Sequence, residues 1–321
     1  MKPHRFPERE YHVPFFDENG YVRKLCPKCK EYYWTQDPKM KTCGESTSEG
    51  CAPYTFIGDP PTKKTHTLPE MRELFSSFFE KRQHTRIKPY PVVARWRSDL
   101  YFTSASIVDF QPYVTNGLIP PPANPLVISQ PCIRLVDVDN VGPTFGRHGT
   151  IFEMGGHHAF NYPDKEVYWK DQTVRYHHEW VTHDLGVKSN EISYKEEVWS
   201  GGGNAGPCVE TIIRGLELAT LVFMQFKVVN GDFVKTPIRP VDTGDGIDRY
   251  TWISQGTPSG FHAIYGELLE KIFKMAGITK IDKEMLMRVS KVSGLVSIDK
   301  TASRLETRKK EAQLRKVILG G

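Results

Sequence analysis

Apolar residues recur at helical spacing through Met71, Leu74, Phe75, Phe78 and Phe79, which predicts an amphipathic helix. Thr67-Leu68-Pro69-Glu70 stands directly before it. Threonine and glutamate three residues apart form a capping box, and a proline early in a helix loses an N–H that had no partner anyway. Leu126 to Val136 reads as a buried strand interrupted by Pro131, and Thr150 to Met154 as a second strand. Val167, Val174, Val181 and Leu185 fall on one side of a helix predicted over Glu166 to Leu185. Tyr194 to Trp199 and Leu218 to Val229 read as strands, and from about Glu267 the pattern turns helical and charged. Strands in runs, with helices set apart, predict an α+β fold: a mostly antiparallel sheet with helices packed on one face. No internal repeat or low-complexity block interrupts this order.

A chain of 321 residues exceeds what one core comfortably holds, so two or three domains are expected. Pro53, Gly58, Pro60 and Pro61 mark the end of a first segment, residues 1–60. Residues 61–265 then form the main domain, and residues 266–321 a helical start of another. The longest apolar runs, such as Leu221 to Met224, are too short to span a membrane. No apolar stretch follows Met1-Lys2-Pro3-His4-Arg5, so the expectation is no signal peptide and a cytoplasmic protein. The net charge of +5 permits a polyanionic partner without requiring one. Arg304, Arg308, Lys309, Lys310, Arg315 and Lys316 cluster near the end, as on a solvated helix face.

Four of the six cysteines, Cys26, Cys29, Cys43 and Cys51, follow a C-x2-C-x13-C-x7-C spacing. In a cytosolic chain such clustering argues for metal over disulfides. Four thiolates suit a closed, structural tetrahedral zinc site; the alternative is a set of free buried thiols.

Other motifs are weaker. Gly201 to Gly206 satisfies G-x-G-x-x-G, but Pro207 and Cys208 follow and no βαβ unit surrounds it. Its glycines are expected to let a loop approach a small ligand closely. His178 and His183 stand five apart, and on a helix such positions diverge by roughly 140°, too far to chelate one ion. His157 and His158 on a strand would face opposite sides. There is no G-x-S-x-G and no phosphate-binding loop ending in GK[ST]. If ATP binds, arginines must hold it. The stretches Ser129 to Arg134, Arg147 to Met154 and Asp242 to Arg249 supply an arginine leaving a strand, an aromatic on the next and a distant arginine after glycines. Guanidinium forks pair bidentately with phosphate and stack on aromatic bases.

That arrangement resembles motifs 2 and 3 of the class II aminoacyl-tRNA synthetases. Further words narrow it: Tyr90-Pro91-Val92-Val93-Ala94-Arg95-Trp96-Arg97, Asp109-Phe110-Gln111-Pro112, Gly117 to Pro125, Asp139-Asn140-Val141-Gly142, Phe152-Glu153-Met154, Asn204-Ala205-Gly206-Pro207-Cys208, Val222 to Phe226 and Val241-Asp242-Thr243-Gly244. In this order they resemble the aminoacylation domain of the alanyl-tRNA synthetases in its archaeal form, over roughly Val13 to Gly294. The resemblance implies a class II antiparallel sheet flanked by helices, a zinc-knuckle extension before it and tRNA-recognising helices after it.

It also implies an activity: ATP and Mg2+ activate L-alanine as the adenylate, and the acyl group passes to the 3' end of tRNA-Ala. Arg134 would hold the α-phosphate and the amino-acid carboxylate, and Arg147 with His148 the distal phosphates. Phe152, beside Met154, would stack on adenine, with Arg249 on its other face. Trp199, Thr220 and Gly244 would line the alanine pocket, and Asp242, in a glycine-flanked turn, would pair with the ammonium. Glu210 is the candidate magnesium ligand. Asp248 stands where family members carry glutamate, Asp245 adds a carboxylate between two glycines, and Val136 and Pro143 replace polar or basic residues. The chain stops at Gly321, short of the family's remaining tRNA-binding, editing and oligomerising regions. A second subunit carrying them is one expectation. The rival functions are a non-catalytic paralogue that binds tRNA or a protein, and an adenylating enzyme with another acceptor.

Overall fold

The computed structural model describes residues 5–47, 49–278 and 280–295. The basic cluster from Arg304 to Lys316 lies outside the described residues. Among the described residues, eleven strands form one sheet: β1 (Val22–Leu25), β2 (Tyr32–Thr35), β3 (Thr85–Arg86), β4 (Leu126–Ile133), β5 (Ile151–Asn161), β6 (Ile192–Gly201), β7 (Asn204–Ile213), β8 (Leu216–Phe223), β9 (Phe226–Val229), β10 (Asp232–Lys235) and β11 (Arg239–Gly246). The helices are α1 (Pro14–Glu18), α2 (Leu68–Glu80), α3 (Lys170–Glu179), α4 (Ile247–Gln255), α5 (Gly260–Tyr265), α6 (Glu267–Met275) and α7 (Lys283–Ser293).

The main path runs β1-β2-β6-β7-β8-β11-β5-β4-β3, with β9 and β10 branching from β7. Every pairing is antiparallel except β3 with β4. The expected α+β sheet is therefore present. Period-2 alternation gives each strand two faces. On one, Val209, Ala219 and Leu221 join Met71, Phe75, Phe78 and Phe79 of α2, Val174 of α3 and Ile253 of α4 in the largest core cluster. Helix α2 begins at the expected capping box, with Thr67 and Glu70 bonded reciprocally. The opposite face carries a smaller core around Ile107, Phe110, Ile128, Phe160 and Met224, and beside it a cleft.

Residues 1–60 carry the hairpin β1–β2, which extends the sheet because β2 pairs with β6. Phe15, Phe16, Tyr21 and Trp34 enter the main core cluster, so this segment packs with the sheet it precedes. At the other end, Val292 of α7 is buried and Met287 packs on the same core. Among the described residues, no helix is long and apolar enough to cross a membrane.

Several local expectations change. The helix over Glu166 to Leu185 is shorter at its start, beginning at Lys170, and its last turn widens to a π-helix over Trp180–Asp184. The apolar run from Leu218 to Val229 is two strands, β8 and β9, broken at Met224-Gln225. Asp242 lies inside β11, not in a turn. Gly202 and Gly203, both at positive φ, close the two-residue β6–β7 hairpin, as a type I′ turn requires. Gly202 and Gly206 approach protein, whereas Gly203 faces open space. A Cβ on Gly202 would meet the Gln111 side chain at 2.3 Å, and one on Gly206 the Phe223 carbonyl oxygen at 1.9 Å.

Candidate functional site

The cleft opens over the centre of the sheet and encloses about 380 Å³. Strand register builds its floor in rows. Glu197, Cys208, Val222 and Asp242 stand side by side on β6, β7, β8 and β11, paired in that order. The next row is Lys195, Glu210, Thr220 and Gly244. Alternation along β11 turns Asp242, Gly244 and Gly246 toward the cleft. Thr243 and Asp245 turn the other way, where Asp245 accepts hydrogen bonds from Thr243 Oγ1 and Tyr250 Oη, each at 2.9 Å. The added carboxylate at Asp245 is thus a core group among the helices.

Arg134 leaves the end of β4, and its guanidinium lies 5.1 Å from the Phe152 ring centroid. Arg249 sits in the first turn of α4, directly after β11. All three line the cleft together with Arg147, His148 and Met154. So do Trp199, Thr220, Asp242, Gly244 and Glu210. The residues expected to hold nucleotide and amino acid therefore share one cavity, although they are scattered over the chain from Arg134 to Arg249.

Most charges in the cleft are already paired. Arg249 donates through Nη1 to the Glu217 carboxylate and through Nη2 to the Arg147 carbonyl, 3.0 Å away. Burial works against a charged Glu217, but the adjacent Arg249 overrides it and holds the carboxyl well below the usual range. Lys195 contacts Glu45 at 2.6 Å, Glu210 at 2.8 Å and Glu197 at 3.1 Å. His148 is pushed down to about 4 by burial and by Arg147, so it offers hydrogen bonds rather than charge near neutrality. Asp248, in place of the expected glutamate, accepts a 2.7 Å hydrogen bond from the Glu153 backbone N–H and so ties α4 to β5.

Two groups stand apart. Arg134 donates to the Ser104 carbonyl at 2.8 Å, yet no ion pair engages it among the described residues. Asp242 is 5% exposed, and no hydrogen bond reaches its carboxylate among the described residues. His158 Nδ1 lies 3.5 Å away, but burial lowers that imidazole to about 3, so it is neutral. Burial, with Asp245 nearby, raises Asp242 to about 7.

The paired histidines divide as the strand alternation requires. His157 stacks on Phe79 at 4.2 Å on the helix side, and His158 meets Ser106 Oγ at 3.0 Å on the other. His178 bonds Tyr194 and Ser189, while the His183 side chain is 73% exposed, so the two hold no common ion.

Away from the cleft, Cys26, Cys29, Cys43 and Cys51 bring their sulfurs within 4.8 Å of one another. Cys26–Cys51 and Cys29–Cys43 each stand at 3.7 Å. A disulfide needs about 2.05 Å, whereas tetrahedral zinc at about 2.3 Å per sulfur sets neighbouring sulfurs about 3.8 Å apart. The donor set and its spacing fit zinc.

The residue expectations omitted Glu217, Val222 and Glu45. Val222 was within reach of strand alternation, since it shares the cleft-facing parity of Thr220 on β8. Glu217 has the opposite parity; it lies at the end of β8 where the register with β7 shifts between Thr211 and Ile212, which alternation alone does not foresee. Glu45 had no local signal, because its partners lie 102 and 150 positions away.

Comparison with known families and proteins gives consistent matches. The model of the family "tRNA synthetases class II (A)" matches residues 70–317. The alanine–tRNA ligase of Korarchaeum cryptofilum is 58% identical over 270 residues, 84% of this chain and 30% of that protein. The alanine–tRNA ligase of Saccharolobus islandicus (strain M.14.25 / Kamchatka #1) is 56% identical over 277 residues, 86% of this chain and 30% of that protein. That of Sulfurisphaera tokodaii is 53% identical over 279 residues, with coverages of 86% and 30%. The chain thus spans about 30% of the length of the curated relatives it matches. Among solved structures, a pyrrolysyl-tRNA synthetase from Desulfitobacterium hafniense aligns at 13% identity and a TM-score of 0.39, covering 62% of this chain and 73% of that one.

Proposed function

The chain belongs to the class II tRNA synthetases (A), and from that premise we propose that it activates L-alanine with ATP and passes the alanyl group to the 3' end of tRNA-Ala. One observation carries the proposal: a partly buried arginine without a carboxylate and a buried carboxylate without a cation face the same cleft. A small zwitterion satisfies both at once, with its carboxylate at Arg134 and its ammonium at Asp242. An unpaired buried charge is costly, so each group gains from that ligand. Trp199, Val222 and Gly244 line the same cleft and would bound the space for the side chain, where a methyl would fit. A Cβ on Gly244 would already stand 3.3 Å from Met154 Sδ.

Phe152 and Arg249 offer the two faces between which an adenine ring would lie, and Arg147 with His148 the end of the cleft for the distal phosphates. Attack of the alanine carboxylate oxygen on the α-phosphorus releases pyrophosphate. The protein's share is alignment and charge neutralisation rather than a covalent intermediate. Arg134 would serve both reactants, since one guanidinium fork can bridge the attacking carboxylate and the α-phosphate. Glu210 and Glu217 both line the cleft. Such a carboxylate pair suits magnesium, which would offset phosphate charge when bound. Zinc at the four cysteines would be structural, because four sulfur ligands leave no open position.

Residues 1–60, 61–265 and 266–321 are proposed to act as metal-bearing extension, catalytic domain and start of the tRNA-recognising helices. Any second subunit would supply the regions that the longer relatives have in addition. Alanine-dependent ATP–pyrophosphate exchange, with Arg134→Ala as control, tests activation. Charging of tRNA-Ala then distinguishes a ligase from an adenylating enzyme with another acceptor. Absence of exchange with alanine would leave the non-catalytic paralogue.

A further inference from the structure

The cysteine cluster and the cleft are connected through the side chain of Glu45. Cys43 lies in the loop after β2, its carbonyl accepting a 2.6 Å hydrogen bond from Ser193 Oγ on β6. Two residues later Glu45 is 5% exposed and forks between two cations. Its Oε1 meets Arg147 Nη2 at 3.0 Å, and its Oε2 meets Lys195 Nζ at 2.6 Å. Arg147 is held a second time, by Nη1 donating to the Ser46 carbonyl at 2.5 Å. The loop backbone is anchored in turn, with Ser46 N–H donating to the Gly215 carbonyl at 2.8 Å and Ala52 N–H to the Glu45 carbonyl at 3.2 Å.

Arg147 lines the cleft, and Lys195 reaches a residue that does. Lys195 contacts Glu210 at 2.8 Å, and the Arg147 carbonyl accepts from Arg249 at 3.0 Å. We infer that Glu45 is a positioning residue: the four-cysteine loop holds it in place, and it orients Arg147 and Lys195 so that the phosphate end of the cleft is preformed. Filling the cysteine site with zinc and binding ATP are thereby coupled, although the sulfurs do not line the cleft. This rests on the ATP-binding reading given above.

The physical grounds are geometric. A long arginine side chain loses several rotamers when it is fixed, and two bonds made before ATP arrives remove that cost from the binding step. A glutamine at this position keeps the size but removes the charge that two cations share.

Calorimetric titration of Mg-ATP and, separately, of alanine into wild type, Glu45→Gln, Arg147→Ala and the double variant tests the inference. Loss of one charge-assisted bond predicts ATP binding weaker by about 10- to 100-fold in Glu45→Gln, with alanine affinity within about twofold of wild type. The double variant should lose less ATP affinity than the two single losses summed, since Glu45 acts in part through Arg147. Stripping the metal from wild type with a chelator should reproduce the ATP defect and add little to it in Glu45→Gln. Wild-type ATP affinity in Glu45→Gln, additive losses in the double variant, or equal losses for ATP and alanine would each overturn the coupling. Should Glu45→Gln fail to fold, Glu45→Asp, which keeps the charge but spans only one partner, is judged by the same criteria. If wild type itself binds no ATP, both the inference and the proposed function fall; if wild type binds and the variants match it, only the inference does.

Discussion

Replacing Asp242 with asparagine should weaken alanine binding while making the protein more stable at high pH. The carboxylate is 5% exposed and raised to about 7 by burial. An unfolded aspartate loses its proton near pH 4, at about 3.9. Between these values the folded state binds more protons than the unfolded state, so stability falls as pH rises through the window. At about 1.36 kcal/mol per pH unit, the full shift from about 3.9 to about 7 corresponds to at most about 4 kcal/mol lost by about pH 8. Asparagine carries no such penalty. The melting temperature of Asp242→Asn should exceed that of wild type by several degrees at about pH 8.5 and match it at about pH 4.5, where the wild-type side chain is neutral too.

Alanine binding should respond in the opposite direction. Removing one member of a buried charge pair costs about 2–5 kcal/mol, and about 3 kcal/mol corresponds to a roughly 150-fold rise in the alanine KM. In wild type the ammonium can pair only after Asp242 gives up its proton. The alanine KM should therefore fall about tenfold per unit as pH rises toward 7, and level off above it. Pyrophosphate exchange across a pH series reads the KM, and thermal melts of both proteins read the stability. An Asp242→Asn variant that melts lower than wild type at about pH 8.5 and binds alanine within about fivefold of it would refute the reasoning.

Glu217→Gln should raise the ATP KM and the magnesium concentration needed for half-maximal exchange by about tenfold or more, because Arg249 loses the carboxylate that fixes it. Removing metal from the four-cysteine cluster with a chelator should lower the melting temperature and open residues 26–51 to protease cleavage; unchanged melting would mean that the sulfurs stand as free thiols. Serine and glycine should be activated with kcat/KM lower than that of alanine by about 10- to 200-fold, since one methyl or hydroxyl is worth only about 1–3 kcal/mol in such a pocket; no exchange with either would refute this. Phe75→Ala, at a fully buried ring under the sheet, should cost about 3–5 kcal/mol in urea unfolding.

Local signals were the ones the sequence carried best. Helix α2 was legible because its cap and its aromatic spacing lie within a few residues of each other. Arg134, Phe152 and Arg249 were legible as parts of motifs, although nothing local shows that β4, β5 and α4 converge. The glycines Gly244 and Gly246 suggest a turn at Asp242, whereas it lies within β11. In β11 those glycines keep every second position bare on the cleft face, beside Met154 and Arg249, while the strand continues. Asp245 was read with them, but strand parity turns it into the core. Glu45 was invisible because its role depends on a loop closing onto residues 102 and 150 positions away.

The charges explain why the cleft's two ends should differ in what they ask of a ligand. Arg147, Arg249 and Lys195 are held by Glu45, Glu217, Glu210 and Glu197, so the end proposed to take the phosphates is set in place before any ligand arrives. There, ATP and a divalent cation would trade one set of ion pairs for another, and the net gain depends on alignment already present. Arg134 and Asp242 have no such internal partners among the described residues. At that end the ligand supplies both missing charges, so the gain is large only for a molecule carrying a carboxylate and an ammonium together. Propionate and ethylamine each satisfy one group and leave the other buried and unpaired. On the proposed reading, selection for an amino acid over its two half-molecules would follow from the unpaired groups, and selection among amino acids would fall to the part of the cleft lined by Trp199, Val222 and Gly244.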